Sequence, residues 1–256
     1  MAQLAVAASA PFGADVLERL AARHDVVQLL TRKDKPQGRG RKVAGTAAKT
    51  VAERLGIRVV HDLDELDAGT VVVAAYGLLI PESALERALW LNVHPSLLPR
   101  WRGAAPVERA IMAGDTETGV TIHRTIKELD AGPIAAKEAF AIGPGDDAGD
   151  VYARAAEVAA RLLDEVLPDP TFTPQPDEGV TYADKITAAD RELDPSHPAA
   201  GLVNIVRGLS PHIGARLGDL IVWKARVGAD GAFEPLEVQP PGGRRMAYDA
   251  YLRGRR

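Results

Sequence analysis

The sequence contains no cysteine, which excludes thiolate nucleophiles, cysteine-ligated zinc, iron–sulfur clusters and CxxC redox chemistry. Any catalysis falls to carboxylates, imidazoles, hydroxyls and amides. Paired metal-ligand spacing is also missing: His24, His61, His94, His123, His197 and His212 are scattered, with no HExxH, so no metal site is expected. No serine sits in a GxSxG elbow, and Gly38-Arg39-Gly40 is neither a dinucleotide fingerprint nor a P-loop. The longest apolar run, Val71 to Pro81, is broken by Gly77 and falls short of the ~18 residues that suggest a membrane span. Leu4–Ala8 followed by the small-x-small Ala8-Ser9-Ala10 resembles a signal peptide only superficially. No Lys or Arg precedes it, and its apolar stretch is shorter than the roughly 7 to 15 residues required. A soluble, cytoplasmic protein without a membrane partner is expected.

What is present is an ordinary globular composition. The 256 residues are 46% hydrophobic, with 31 Lys+Arg against 35 Asp+Glu and a formal net charge of -4. That length allows one large domain or a medium one plus a small one. Short β-rich runs alternate with amphipathic stretches, which favours an α/β fold with a mostly parallel sheet. Strands are predicted at Leu4–Ala8, Val26–Leu30, Ile57–Val60, Val71–Ala75, Leu91–Val93, Gly119–Arg124 and Pro133–Ala141. Helices are predicted at Ala14–Arg23, Thr46–Leu55, from Pro81 to about Leu89, after Pro106, and over Asp150–Leu167. A basic, glycine-containing loop runs from Thr31 to Gly45.

The proline-dense stretch from Pro168 to Pro176 has the composition of a linker. It divides the chain into an expected domain of residues 1–178 and a smaller one of residues 179–256, with a helix at Ala199–Leu209 and strands at Ala215–Leu217 and Asp219–Val227. Charge is unequal between the parts. Residues 181–256 carry 11 Lys/Arg against 9 Asp/Glu, the remainder 20 against 26. Mild overall acidity gives no global attraction for nucleic acid, so such a partner requires a local basic patch. Two exist: Arg32 to Lys42 in the loop, and Arg244, Arg245, Arg253, Arg255 and Arg256 at the end. A charge run is commonly a solvated surface, but a basic loop between strand and helix of an α/β unit lies near the ligand crevice.

The densest chemical segment runs from Asn92 to Gly103. Residues two apart on a strand share a face, so Asn92 and His94 can aim an amide and an imidazole at one point at the strand's carboxyl end, where open α/β sheets bind ligands. Two such donors suit a reaction that builds negative charge on a carbonyl oxygen. Asp130, in the turn Leu129-Asp130-Ala131-Gly132, could orient or charge the imidazole or accept a proton from an attacking amine. It could equally be an aspartate serving its own turn.

Together these residues carry a resemblance. Asn92-x-His94 followed by Pro-Ser-Leu-Leu-Pro, with Leu129-Asp130-x-Gly132 downstream, resembles the signature of the folate-dependent formyltransferases. The likeness is closest to members that act on aminoacyl-tRNA. It extends to Lys35–Lys42, Val73–Pro81, Ser96–Pro106, Thr181–Ile186, Val222–Ala225 and Leu236–Met246, nearly the whole chain. The resemblance implies a Rossmann-like formyltransferase domain followed by a small, shortened β-barrel-like domain that helps hold tRNA. It implies 10-formyltetrahydrofolate as donor, the α-amine of methionine on initiator tRNA as acceptor, no metal, and a monomer.

By position, the resemblance makes Asn92, His94 and Asp130 catalytic. Asn92 and His94 would polarise the formyl oxygen, while Asp130 keeps the imidazole charged and assists proton transfer. Ser96, Leu97, Leu98 and Pro99, with Tyr76, Gly77, Leu78 and Ile80, would contact folate. Arg39, Arg41, Lys42, Arg244 and Arg245 would contact tRNA. The sequence departs from the family in two places. Ala8-Ser-Ala-Pro-Phe12 stands where Gly-Thr-Pro-x-Phe is usual, and only a few residues separate Val227 from Leu236. The rival within the same chemistry is a formyltransferase acting on a nucleotide-linked amino sugar, which has little use for the two basic clusters.

Overall fold

A computed structural model describes residues 3–37 and 42–254, without the side chains of residues 36, 37, 42 and 43. The chain runs through β1 (Leu4–Ala8), α1 (Pro11–Ala21), β2 (Val26–Leu30), β3 (Lys35–Gln37), β4 (Lys42–Ala44), α2 (Ala47–Leu55), β5 (Arg58–Val60), β6 (Thr70–Ala74), α3 (Glu82–Leu85) and β7 (Leu89–His94). It continues through β8 (Arg102–Gly103), α4 (Pro106–Ala113), β9 (Glu117–Arg124), β10 (Ile134–Ala141) and α5 (Ala148–Val166). The remainder holds β11 (Tyr182–Ala183), α6 (Ala199–Leu209), β12 (Ala215–Leu217), β13 (Leu220–Val227), β14 (Phe233–Gln239), β15 (Met246–Ala247) and α7 (Tyr248–Arg253).

Seven strands form the main sheet in the order β10-β9-β7-β6-β1-β2-β5. From β5 to β7 all neighbours are parallel, and β9 joins β7 antiparallel. Residues 4–8 of β1 and 71–74 of β6 are wholly buried, as a central parallel strand covered on both faces must be. Helix α1 buries Val16, Leu17 and Leu20. It begins at Pro11, earlier than the apolar periodicity alone predicts, because proline is welcome in a first turn where its missing N–H has no partner to lose. Helix α2 starts at Thr46, whose hydroxyl accepts the Lys49 N–H at 3.1 Å, and ends at Gly56 in the left-handed region.

Three expectations change on inspection. The helix after Pro81 is a single turn rather than an element reaching Leu89. The buried Trp90 donates its indole N–H to the Ala84 carbonyl at 2.8 Å, and Leu89 already pairs with Thr70, so the chain is drawn into β7. The basic loop holds a short antiparallel hairpin, β3 against β4. The proline-dense stretch is fastened rather than free: Thr173 exchanges two backbone hydrogen bonds with Ile134, at 2.8 and 2.9 Å.

The described contacts divide the chain into two compact units, neither continuous in sequence. The first comprises Met1–Arg102, Gly119–Ala139 and Ala153–Val180, the second Gly103–Thr118, Phe140–Tyr152 and Thr181–Arg256. In the second unit β12 to β15 form a four-stranded antiparallel sheet in sequential order, and a five-residue connection joins β13 to β14. Leu202, Val206 and Leu209 of α6 pack on Ala215, Val222 and Val238 of that sheet. Helix α4 packs against α6 within the same unit, and Arg109 of α4 grips Asp190 through two hydrogen bonds at 2.6 and 3.0 Å.

Candidate active site

Strand β7 delivers Asn92 and His94 to the carboxyl end of the parallel strands, as the period-two reading predicts. The antiparallel register of β7 with β9 sets Asn92 opposite His123 and His94 opposite Thr121. Asp130 closes the group from the β9–β10 turn. The Asn92 Nδ2 lies 3.1 Å from Asp130 Oδ1 and 3.1 Å from His123 Nε2. His123 Nδ1 lies 3.0 Å from the Arg124 carbonyl, an acceptor only, so Nδ1 carries the proton and Nε2 accepts from the amide. Both hydrogens of the Asn92 amide thus have partners within the protein.

His94 is held in the same way. Its Nε2 donates to the Trp101 carbonyl at 2.7 Å, which directs Nδ1 toward Asp130 Oδ2, 3.7 Å away. The side chains of His94 and Asp130 are 5% and 9% exposed, so these charges act in a medium far less screening than water. His123, one of the scattered histidines of the sequence, is a further member of the cluster. In the structure Thr118–His123 is an unbroken buried run beside β7, but its sequence, with two threonines and a glycine, does not announce it.

Backbone strain gathers around this cluster. Among the described residues, Ala75, Trp101 and Asp130 are the non-glycine positions with positive φ, at 47°, 63° and 48°, a conformation that costs about 1–2 kcal/mol each. Two of them, Trp101 and Asp130, belong to the cluster. The Ala75 carbonyl accepts the N–H groups of Ser9 and Ala10, the Trp101 carbonyl holds His94, and Asp130 is itself the carboxylate. Strain concentrated where geometry is over-determined is a mark of functional sites.

Burial lowers the His94 pKa, opposed by the Asp130 carboxylate and the Trp101 carbonyl. Desolvation therefore outweighs the expected effect of Asp130, and the neutral imidazole is favoured before negative charge arrives. The unfolded imidazole titrates near 6.5, so below that pH the unfolded chain takes up protons that the folded chain resists. Folding stability should fall as the pH drops through that value toward the lower folded pKa. Denaturation midpoints at about pH 7.5 and about pH 5.5 test this. The difference should shrink in His94→Gln, and an unchanged difference would contradict it.

The expected folate contacts fall on two segments. Tyr76, Gly77, Leu78 and Ile80 follow β6; Tyr76 is buried, while Leu78 and the neighbouring Leu79 project outward, Leu79 91% exposed. Of the second run, Ser96 and Leu98 have fully buried side chains. The Ser96 hydroxyl donates to the Arg100 carbonyl, and Thr121 ties the Ser96 carbonyl to the Leu98 N–H. Leu97 and Pro99 have the partly accessible side chains of that run. Arg39, Arg41 and the Lys42 side chain lie outside the described residues. Arg244 is exposed, whereas Arg245 stacks on the Trp223 ring at 3.5 Å and donates to the Pro211 carbonyl. A cavity of about 830 Å³ in the second unit is lined by Leu202, Phe233, Leu236 and Tyr248 and contains none of these residues.

A neutral amide, an imidazole and a carboxylate converge at the carboxyl end of the parallel strands, an arrangement suited to group transfer at a carbonyl. Residues 3–167 match the formyl transferase family. A methionyl-tRNA formyltransferase of Cereibacter sphaeroides is 40% identical over 283 aligned positions, which cover 96% of this chain and 94% of that protein. Among solved structures, a methionyl-tRNA formyltransferase from Clostridium thermocellum superposes with a TM-score of 0.67 at 15% identity, covering 94% and 99% of the two chains. An N-formyltransferase from Helicobacter canadensis, in complex with folinic acid and dTDP-3-aminofucose, gives 0.70 at 17%, covering 89% and 88%. The chain belongs to the formyl transferase family, and within it to the methionyl-tRNA formyltransferases.

Proposed function

We propose that this protein transfers the formyl group of 10-formyltetrahydrofolate to the α-amine of methionine on initiator tRNA, with Asn92, His94 and Asp130 as its catalytic residues. The observation that carries the proposal is the convergence of those three side chains in a chain whose likeness to methionyl-tRNA formyltransferases is nearly full-length. The donor set fits the substrate. Asn92 can give a hydrogen bond to a formyl oxygen, as can His94 once its Nδ1 is protonated, and the apolar edge at Leu78 and Leu79 suits a flat ring system.

In the reaction the amine's lone pair forms the new N–C bond while the carbonyl π pair moves onto oxygen. Asn92 and His94 stabilise that oxyanion. Because both Asn92 hydrogens are already engaged, the oxygen must replace one existing partner. The attacking amine's proton passes by way of Asp130 to His94 Nδ1, 3.7 Å from the carboxylate, so the imidazolium is present while the oxyanion exists. As the oxyanion re-forms the carbonyl, the same proton returns from His94 through Asp130 to the folate N10, which leaves with the electrons of the broken C–N bond.

The test is incubation with 10-formyltetrahydrofolate and, separately, methionine-charged initiator tRNA, uncharged tRNA and a nucleotide-linked amino sugar. Formyl-methionine should form only with charged initiator tRNA; transfer to the sugar amine alone would sink the reading. We assign tRNA contact to Arg39, Arg41, Lys42, Arg244 and Arg245, with the carboxy-terminal region of residues 179–256 supporting the acceptor. Arg39→Ala should raise KM for the tRNA by about tenfold, the loss of one charge-assisted hydrogen bond, and leave folate KM unchanged. An equal rise in both would contradict the assignment. Binding should weaken steeply with salt.

A further inference from the structure

The proline-dense stretch holds a polar side chain that the proposed mechanism does not use. Gln175 places its Nε2 2.8 Å from the Asp130 carbonyl and 2.8 Å from the Gly132 carbonyl. Its Oε1 accepts from Arg102 Nε at 3.1 Å and Nη2 at 2.7 Å. An amide has two donor hydrogens and one carbonyl oxygen, so the Gln175 side chain is fully committed. Arg102 fixes which end of the amide faces the turn, and the two hydrogens grip the backbone on either side of Ala131. Asp130 is the residue in that turn whose strained φ aims its carboxylate at Asn92 and His94.

We propose that Gln175 is a positioning residue that holds the Asp130 carboxylate in its reactive geometry, with Arg102 as its orienting partner. The inference rests on the proposed formyl transfer. Ionisable groups at the carboxylate include His94 on β7 and His123 on β9; Arg102 reaches the turn through Gln175. Without the two donors the turn relaxes, and Asp130 moves away from the Asn92 amide.

Gln175→Glu keeps the side-chain length and the pairing with Arg102, but it turns carboxylate oxygen toward two carbonyls. Gln175→Met removes the donors without adding charge and serves if the first variant folds poorly. Each should lower kcat by about 10- to 100-fold, the scale of a catalytic group misplaced by about 1 Å, with both KM values within about threefold. The acid limb of the kcat profile should move to higher pH, since a carboxylate that has lost its hydrogen bond from Asn92 holds a proton more tightly. An unchanged kcat in both folded variants would overturn the proposal, as would a kcat loss with an unmoved acid limb, which marks a merely structural role. Tetrahydrofolate release is followed with Met-tRNA and with water as sole acceptor. A wild-type protein that releases tetrahydrofolate but leaves Met-tRNA unformylated defeats the proposed function while the effect of Gln175 stays measurable.

Discussion

His94→Ala is expected to lower kcat by about 10³-fold, through loss of an oxyanion donor and of the group that shares the reaction's proton. The same change removes the imidazole hydrogen bond to the Trp101 carbonyl, and a lost intramolecular hydrogen bond costs about 0.5–1.5 kcal/mol. Lower activity alone is therefore ambiguous. His94→Gln separates the effects, because its amide can donate toward Trp101 but cannot become a cation. Its thermal midpoint should lie closer to wild type than that of His94→Ala, with turnover nearly as low. Single-turnover formyl transfer at saturating substrates is the measurement, and a His94→Ala rate within about tenfold of wild type would remove the imidazole from the chemistry.

Gly132→Ala should be nearly as damaging although no reacting atom is touched. A Cβ on Gly132 would lie 1.8 Å from the Arg124 carbonyl oxygen, a backbone atom. That oxygen anchors His123 Nδ1, and the Arg124 N–H is bonded to the Pro133 carbonyl. The methyl group must displace one strand end or the other. Displacing Arg124 frees His123 and hence Asn92, whereas displacing the turn withdraws Asp130. A destabilisation of about 1–3 kcal/mol, typical of overpacking, is expected, together with a kcat loss of at least about 10²-fold. Ala131→Gly in the same turn is the control. A Gly132→Ala protein with normal turnover would show that the turn tolerates another path.

Much of the first unit was legible because its signals are local. β1, β2 and β6 are apolar runs, α2 lies between a threonine cap and a left-handed glycine, and Asn92-x-His94 sits on a strand whose end is a ligand site in any open α/β sheet. What escaped depends on partners distant in sequence. Nothing around His123 reveals that it faces Asn92 until β9 is set antiparallel to β7. Trp101 acts through a carbonyl, which no side-chain pattern reports. Prolines around Gln175 suggest a linker, yet its amide is bonded to the turn at residues 130–132, more than forty positions earlier. The short α3 is a further case, since the residue that ends it, Trp90, belongs to the next strand.

The discontinuity of the second unit limits how this protein can be dissected or recombined. A chain cut after Val180 retains every member of the candidate catalytic cluster, but it keeps Gly103–Thr118 and Phe140–Tyr152 without the unit to which they belong. Helix α4 would lose α6, and Arg109 would lose Asp190. Such a fragment presents raw apolar surface and a stranded cation, conditions that favour aggregation. Grafting the carboxy-terminal region of a relative onto this chain meets the same obstacle. The transplanted helix would have to match an α4 encoded some ninety residues upstream, so the transferable part is a set of three interleaved segments rather than one terminal cassette.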